Sequence, residues 1–297
     1  MERLALIDIG SNSIRMTCYK IKSATDYTEI NRVREFVQLA KNMTPSGAIN
    51  AQAFNLGVTV LKEFKDIIVK RKTDVVIATA TEAVRQASNQ AEFLQAVKGA
   101  TGIQIRVLSG QEESRYDAIG LVHTNDIKDF MFLDTGGGSF ELGNVVDQQL
   151  VDAQSLPYGA IKIYDQFVKN DKLNSKAQKE ILDLFSSKIT IGQKNIHKLI
   201  IIGGIHRAFF KVIDVTQDEW ASATDVLKDI RTIQSNTLAA NKNLKRMPER
   251  RAPFMPAGLM PLRFALQTYN IKKVECSRQG LRDGILFEHL DQLKKEG

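Results

Sequence analysis

Cysteine is scarce in this chain. The two in 297 residues, Cys18 and Cys276, are far apart and match no metal or redox spacing. That excludes a disulfide framework, a cysteine–zinc cluster and a dithiol motif, and it suits a reducing compartment. Histidine is nearly as rare: His123, His197, His206 and His289 never pair at ligand spacing and read as structural or surface residues. The six prolines are dispersed. With no Ser/Gly linker, low-complexity tract or block of like charge, disorder is expected only at the ends and in a few loops. Long apolar runs are missing as well, since the first one, after Met1-Glu2-Arg3, stops at Asp8. It is too short for a signal peptide or a membrane span, so the expectation is a cytoplasmic protein with no membrane partner. Aromatic residues, at 7%, are not interleaved with basic ones, so base stacking and a nucleic-acid partner are not expected.

What is present points elsewhere. The length allows two domains, and 43% apolar residues suffice for their cores. Forty-one Lys and Arg against thirty-four Asp and Glu give a net charge of +7, which attracts polyanions. A small or flexible phosphate is the anion that the weak aromatic content leaves in favour.

The most informative stretch is "LALIDIGSNSIRM" over residues 4–16, an apolar strand that runs into Asp8 and a Gly/Ser turn. The layout returns in "MFLDTGGGSFEL" over residues 131–142, with Asp134 for Asp8, Gly136 for Gly10 and Ser139 for Ser13. Each copy reads as strand, D-x-G-x-x-S turn and second strand, and the pair reads as an internal duplication. Glycines at the tip let amides approach a ligand, and successive free amides form a nest for anionic oxygens. Gly10, Ser11, Asn12 and Ser13 in one copy, and Gly136, Gly137, Gly138 and Ser139 in the other, are the candidate phosphate-binding residues. Two such nests facing each other would grip a phosphate from both sides. The carboxylates beside them fit a phosphate only with a hard divalent cation in between, which makes Asp8 and Asp134 candidate magnesium ligands. Arg15 in the first copy is replaced by Glu141 in the second. Arg15 then offers a further anion contact, and Glu141 a carboxylate for a metal-bound water.

Three strand–helix junctions add candidates, since the carboxyl edge of a sheet is where α/β proteins bind ligands. In "DVVIATATEAVRQASN" (74–89) a strand over Val75 to Ala78 leads to a helix from about Glu82, and Arg85 can reach that edge; a solvated arginine is the equal alternative. In "IQIRVLSGQEESRYDAIGLVH" (103–123) Ser109 and Glu112 form an S-x-x-E capping box. This leaves Glu113, in the first helical turn, as a carboxylate suited to take a proton from water, with a purely structural glutamate as the alternative. In "KLIIIGGIHRAF" (198–209) a strand breaks at Gly203-Gly204 before a helix, a weaker phosphate site. "KNLKRMPERR" (242–251) reads either as a mobile arm for a polyanion or as a solvated loop. Ile285, Leu286, His289 and Leu290 stand at helical spacing near the end of the chain, which predicts a closing amphipathic helix.

Taken in order, "IDIGSNSIRM", "ATATEAVRQASN", "RVLSGQEESRYDAIG", "FLDTGGGSFELG", "SLPYGAIKIYDQF", "IIIGGIHRAF" and "GLRDGILF" resemble the exopolyphosphatase and guanosine pentaphosphate phosphohydrolase family over nearly the whole chain. The resemblance implies an α/β fold of duplicated ribonuclease-H-like, actin-like ATPase domains flanking a central cleft. Domain I is then expected over 1–120, with the helix at 285–297 packed back on it, and domain II over 121–284. It also implies magnesium-assisted hydrolysis of the terminal phosphoanhydride of inorganic polyphosphate or guanosine pentaphosphate. The water-activating glutamate falls on Glu113, the metal and water-positioning carboxylates on Asp134 and Glu141, and an anion-binding arginine on Arg85. A homodimer is an expectation of the likeness alone. Relatives carry R-A-D where this chain has Arg251-Ala252-Pro253, and Thr where it has Ile205, which weighs against a guanosine contact. The His-Asp motif of the longer relatives' helical extension is absent. A superfamily kinase and a non-catalytic polyphosphate or guanosine tetraphosphate sensor are the competing readings.

Overall fold

The computed structural model describes residues 1–296 apart from Asn42, Pro45, Gln193, Gln217 and Asp218. The chain divides into two compact units: Met1–Glu113 with Ile285–Gly297, and Ser114–Gly284. Gly297, the last residue of the expected C-terminal helix, lies outside the described residues.

The first unit opens with strands β1 (Glu2–Ile9), β2 (Ile14–Ser23) and β3 (Asp26–Glu35). Helix α1 (Ala51–Lys70), strand β4 (Val75–Ala80), helices α2 (Glu82–Arg85) and α3 (Gln90–Thr101) and strand β5 (Ile105–Val107) follow. The sheet order is β3-β2-β1-β4-β5, antiparallel through β1, β2 and β3 and parallel from β1 to β4 and β5. Strand β1 is covered on both faces, so Leu4, Ala5, Leu6 and Ile7 are all buried, as the parallel centre of an α/β sheet requires. Helix α1 begins where the Asn50 side chain accepts the Ala53 N–H at 2.9 Å. It buries Val60, Leu61, Phe64 and Ile68 at helical spacing. The helix expected from Glu82 is two: α2 ends after one turn, and α3 starts afresh at Gln90. Helix α4 (Gly110–Val122) carries the chain onward, and the division falls after Glu113 within it, not at residue 120.

The second unit contains β6 (Phe130–Thr135), β7 (Phe140–Val146), β8 (Gln149–Leu156), α5 (Ala160–Phe167), α6 (Ser175–Lys188), β9 (Lys198–Ile202) and α7 (Gly204–Val212). Then come β10 (Ala221–Ser222), α8 (Ala223–Ser235), α9 (Leu238–Lys242), α10 (Met255–Gly258), α11 (Met260–Thr268), β11 (Lys273–Cys276) and the start of α12 (Leu281–Glu296). Its sheet runs β10-β11-β9-β6-β7-β8. Set β6 against β1, and the order and directions of the first sheet return, with β9 in the place of β4 and β11 in that of β5. The duplication expected from the two D-x-G-x-x-S turns is therefore present in the sheets. Alternation along β6 feeds two cores: Met131 and Leu133 join one with Phe185 and Phe209, while Phe130 and Phe132 join another with Ala118 and Leu121 of α4. Each fully buried phenylalanine contributes about 2 kcal/mol.

Beyond Ile285, α12 belongs to the first unit. There His289 Nε2 meets Glu2 Oε1 at 2.7 Å, and the Phe287 ring packs edge-on against Tyr27.

Candidate phosphate loops and their carboxylates

In the first unit the turn between β1 and β2 is closed by the Gly10 N–H donating to the Ser13 carbonyl at 3.1 Å. The carbonyls of Ser11 and Asn12 are turned away from the tip, where they accept N–H groups from Ala40 and Gln38 at 3.0 and 3.1 Å. Among the described residues, no acceptor meets the N–H groups of Ser11, Asn12 and Ser13. Three successive amides left without acceptors are the arrangement that a nest for anionic oxygens requires. Asp8 and Arg15 stand opposite each other in register, with Arg15 Nη1 at 3.9 Å from the carboxylate and Nε donating to Ser13 Oγ at 3.2 Å. Arg34 continues the row on β3.

The same edge carries Glu113 and Arg85. The Thr81 N–H donates to the Ile9 carbonyl and the Leu108 N–H to that of Ala80, so the ends of β1, β4 and β5 are laced side by side. Ser109 and Glu112 form the expected capping box: Ser109 N–H to Glu112 Oε2 at 2.8 Å, and Glu112 N–H to Ser109 Oγ at 3.2 Å. Glu113, however, is not left free. Its carboxylate takes the Arg85 Nη1 group, while Nη2 reaches Glu82 Oε2 at 2.5 Å. Arg85 is thus neither a solvated arginine nor a bare phosphate ligand. Burial works against its charge, but the Glu113 and Glu82 carboxylates outweigh this and raise its pKa. Nη1 also donates to the Leu108 carbonyl, which leaves two of the five guanidinium N–H groups for a further acceptor.

In the second unit the loop repeats the first almost bond for bond. The Gly136 N–H donates to the Ser139 carbonyl at 3.0 Å. The carbonyls of Gly136, Gly137 and Gly138 accept the N–H groups of Ala160, Ile161 and Gly159 at 3.0, 2.9 and 3.0 Å. Tying the carbonyls to the start of α5 leaves the amides of Gly137, Gly138 and Ser139 without an acceptor among the described residues. Asp134 and Glu141 face each other across β6 and β7, and Ser155 of β8 completes the row, its hydroxyl donating to Glu141 Oε1 at 2.7 Å. Two carboxylates on one sheet face beside free amides make a hard oxygen donor set, the kind magnesium uses when phosphates and waters complete its shell. Asp134 and Glu141 therefore fit that ion. Asp8 lies in the other unit, and its row supplies arginines in place of a second carboxylate. No group of three or more His, Cys, Asp or Glu suited to a metal occurs among the described residues.

At the β9–α7 junction Gly203 has a φ of 102°, and a β-carbon there would lie 2.6 Å from both Asp134 Oδ1 and the Thr135 carbonyl. Only glycine fits against the carboxylate. A β-carbon on Gly204 would collide with the Arg251 guanidinium. Residues 242–251 are held at two points: Arg251 seats on Gly204, and Arg246 pairs with Asp214. Glu82 and Ser155 are the site neighbours that sequence reasoning missed. Glu82 lay in plain view, three residues before Arg85 on one helical face. Ser155 did not, because a β-bulge at Asn144/Val145 shifts the register; an unbroken hairpin count puts Gln154 opposite Glu141.

Two sheets of one repeated order, each carrying an acid–glycine–serine loop with unengaged amides, define an α/β protein with a duplicated strand–loop–strand turn. The Ppx/GppA phosphatase family model matches residues 18–293, and the chain belongs to that family. It is similar to exopolyphosphatase 1 of Mycobacterium leprae, 25% identical with 97% of this chain and 90% of the relative covered. Among solved structures it is similar to an exopolyphosphatase from Cytophaga hutchinsonii, with a TM-score of 0.88 at 20% identity and 98% of both chains covered. The Ppx/GppA enzyme of Aquifex aeolicus gives a TM-score of 0.83 at 25% identity, covering 97% of this chain and 99% of the other.

Proposed function

We propose that this protein is an exopolyphosphatase that releases the terminal phosphate of inorganic polyphosphate. One observation carries the reading: the two loops share one pattern of tied carbonyls and unengaged amides, a pattern suited to phosphate oxygens. The relative named exopolyphosphatase 1 supports polyphosphate as the substrate, and so does the +7 net charge.

Glu113 accepts a proton from water as the water oxygen bonds to the terminal phosphorus. The P–O anhydride bond then breaks, leaving its electron pair on the shortened chain, and orthophosphate departs. Arg85 holds the Glu113 carboxylate and offers its two remaining donors to a phosphate oxygen. In the first unit the amides at Ser11 to Ser13, with Arg15, are suited to orient phosphate and disperse its charge, and in the second unit those at Gly137 to Ser139 are suited to the same task. Such positioning and charge dispersal is most of what a loose phosphoryl-transfer transition state requires. Asp134 and Glu141 would hold magnesium, which neutralises phosphate charge and polarises water when bound.

The test is phosphate release from polyphosphates of several lengths, guanosine pentaphosphate and ATP, with and without magnesium. Magnesium-dependent release from polyphosphate is expected, and Glu113→Gln should lower it by about 10²–10⁴-fold. An inert wild type would support a binding-only sensor, and phosphate transfer from ATP to a small acceptor without polyphosphate hydrolysis would support a kinase. Either result defeats the proposal.

A further inference from the structure

We propose that Glu82 is a positioning residue for this hydrolysis, on which the inference rests: it keeps the Arg85 guanidinium paired while Glu113 carries the proton of the attacking water. A base held by a single arginine is a poor base. Taking up a proton would dissolve the ion pair and strand a positive charge in a largely buried place, which is strongly unfavourable. The structure supplies the missing counter-charge. The Glu82 side chain is 3% exposed, that of Glu113 8% and that of Arg85 19%, and the guanidinium bridges the two carboxylates.

When Glu113 is protonated, Glu82 and Arg85 remain as a neutral pair with their 2.5 Å contact intact. When Glu113 returns its proton to solvent, the starting arrangement is restored. The backbone enforces this geometry. Glu82 and Arg85 lie three residues apart on the single turn of α2, whose first residue follows Thr81, itself bonded to the end of β1. Arg85 is anchored to the far side as well, through the carbonyl of Leu108, immediately before the cap of α4. The cation is thereby fixed between a carboxylate that reacts and one that does not.

A merely structural Glu82 would affect folding and nothing else. The experiment measures kcat, KM and the thermal midpoint of Glu82→Gln and Glu82→Asp with long-chain polyphosphate and magnesium, with Glu113→Gln as control. For Glu82→Gln, kcat is expected to fall on the order of tenfold, equivalent to about one pKa unit on the base, with KM within about twofold of wild type. Glu82→Asp, which keeps the charge on a shorter arm, should retain at least about half of the wild-type kcat. Wild-type kcat in folded Glu82→Gln would overturn the inference while leaving the hydrolase reading standing. So would a rise in KM alone. Should Glu82→Gln not fold, a tenfold lower kcat in folded Glu82→Asp overturns it equally. An inert wild type removes the hydrolase reading and this inference together.

Discussion

At the scale of single residues, two buried groups give measurable consequences. Thr135 follows the Asp134 carboxylate but points to the opposite face of β6, where its hydroxyl is buried without a hydrogen-bond partner among the described residues. Its counterpart in the first copy is Ile9. Since an unsatisfied buried hydroxyl costs about 1–3 kcal/mol and valine has the same shape, Thr135→Val should stabilise the fold by about 1 kcal/mol. Urea unfolding would measure it, and a destabilised variant would show that the hydroxyl has a partner. His206 offers a pH handle. Burial, helped by Arg207 and opposed by the bond to the Ile202 carbonyl, pushes its pKa down from 6.5 to about 3. Below pH 6.5 the unfolded chain binds a proton that the folded chain refuses. Stability should therefore fall as the pH drops from 6.5 towards 3, by up to about 1.4 kcal/mol per unit from this group. Unfolding midpoints between pH 7 and 4.5 should show this slope, and His206→Gln should remove it. Burial of this kind depends on packing, which is why His206 could be read only as structural or surface from spacing.

At the scale of elements, the sequence announced what is local and hid what is not. The S-x-x-E box at Ser109 predicted the start of α4, and both reciprocal bonds are there. Replacing Ser109 by alanine should cost about 1 kcal/mol, read from thermal unfolding, because the Glu112 N–H loses its cap. The Ser109 N–H, and then Arg106, hold the Glu112 carboxyl below its ordinary 4.5. A depressed carboxylate stabilises the fold above its unfolded pKa and loses that contribution as pH falls, so the effect belongs to the acid limb below about 4.5. The matching junction after β11 has a related cap, the Gly280 N–H donating to Asp283 Oδ2 at 3.1 Å. Aligning the two caps sets Glu113 against Gly284, so only one of the duplicated helices adds a second carboxylate beside the capping one in its first turn. That asymmetry was invisible while the repeat was followed only from Asp8 to Asp134. The bulge in β7 and the break between α2 and α3 were equally hidden, since neither leaves a hydrophobic period to count.

For the molecule as a whole, the repeat was legible because a carboxylate, a glycine and a serine at fixed spacing are rare beside an apolar strand. The strand order was not, because pairing β9 with β6 and β11 with β9 is a long-range choice that the family likeness supplied. The surplus of cations can be tested at this scale. A net charge of +7 draws a flexible polyanion from beyond contact range, whereas the buried ion pairs around Glu113 are sheltered from counter-ions. At about 0.5 M salt the Debye length falls to roughly 4–5 Å, from about 14 Å at 0.05 M. KM for long polyphosphate should then rise several-fold over that range while kcat changes by less than about twofold. Steady-state phosphate release at fixed free magnesium is the measurement. A kcat that falls with salt at constant KM would mean that the charge acts in the chemical step, and the assignment of the surplus cations to capture would have to be given up.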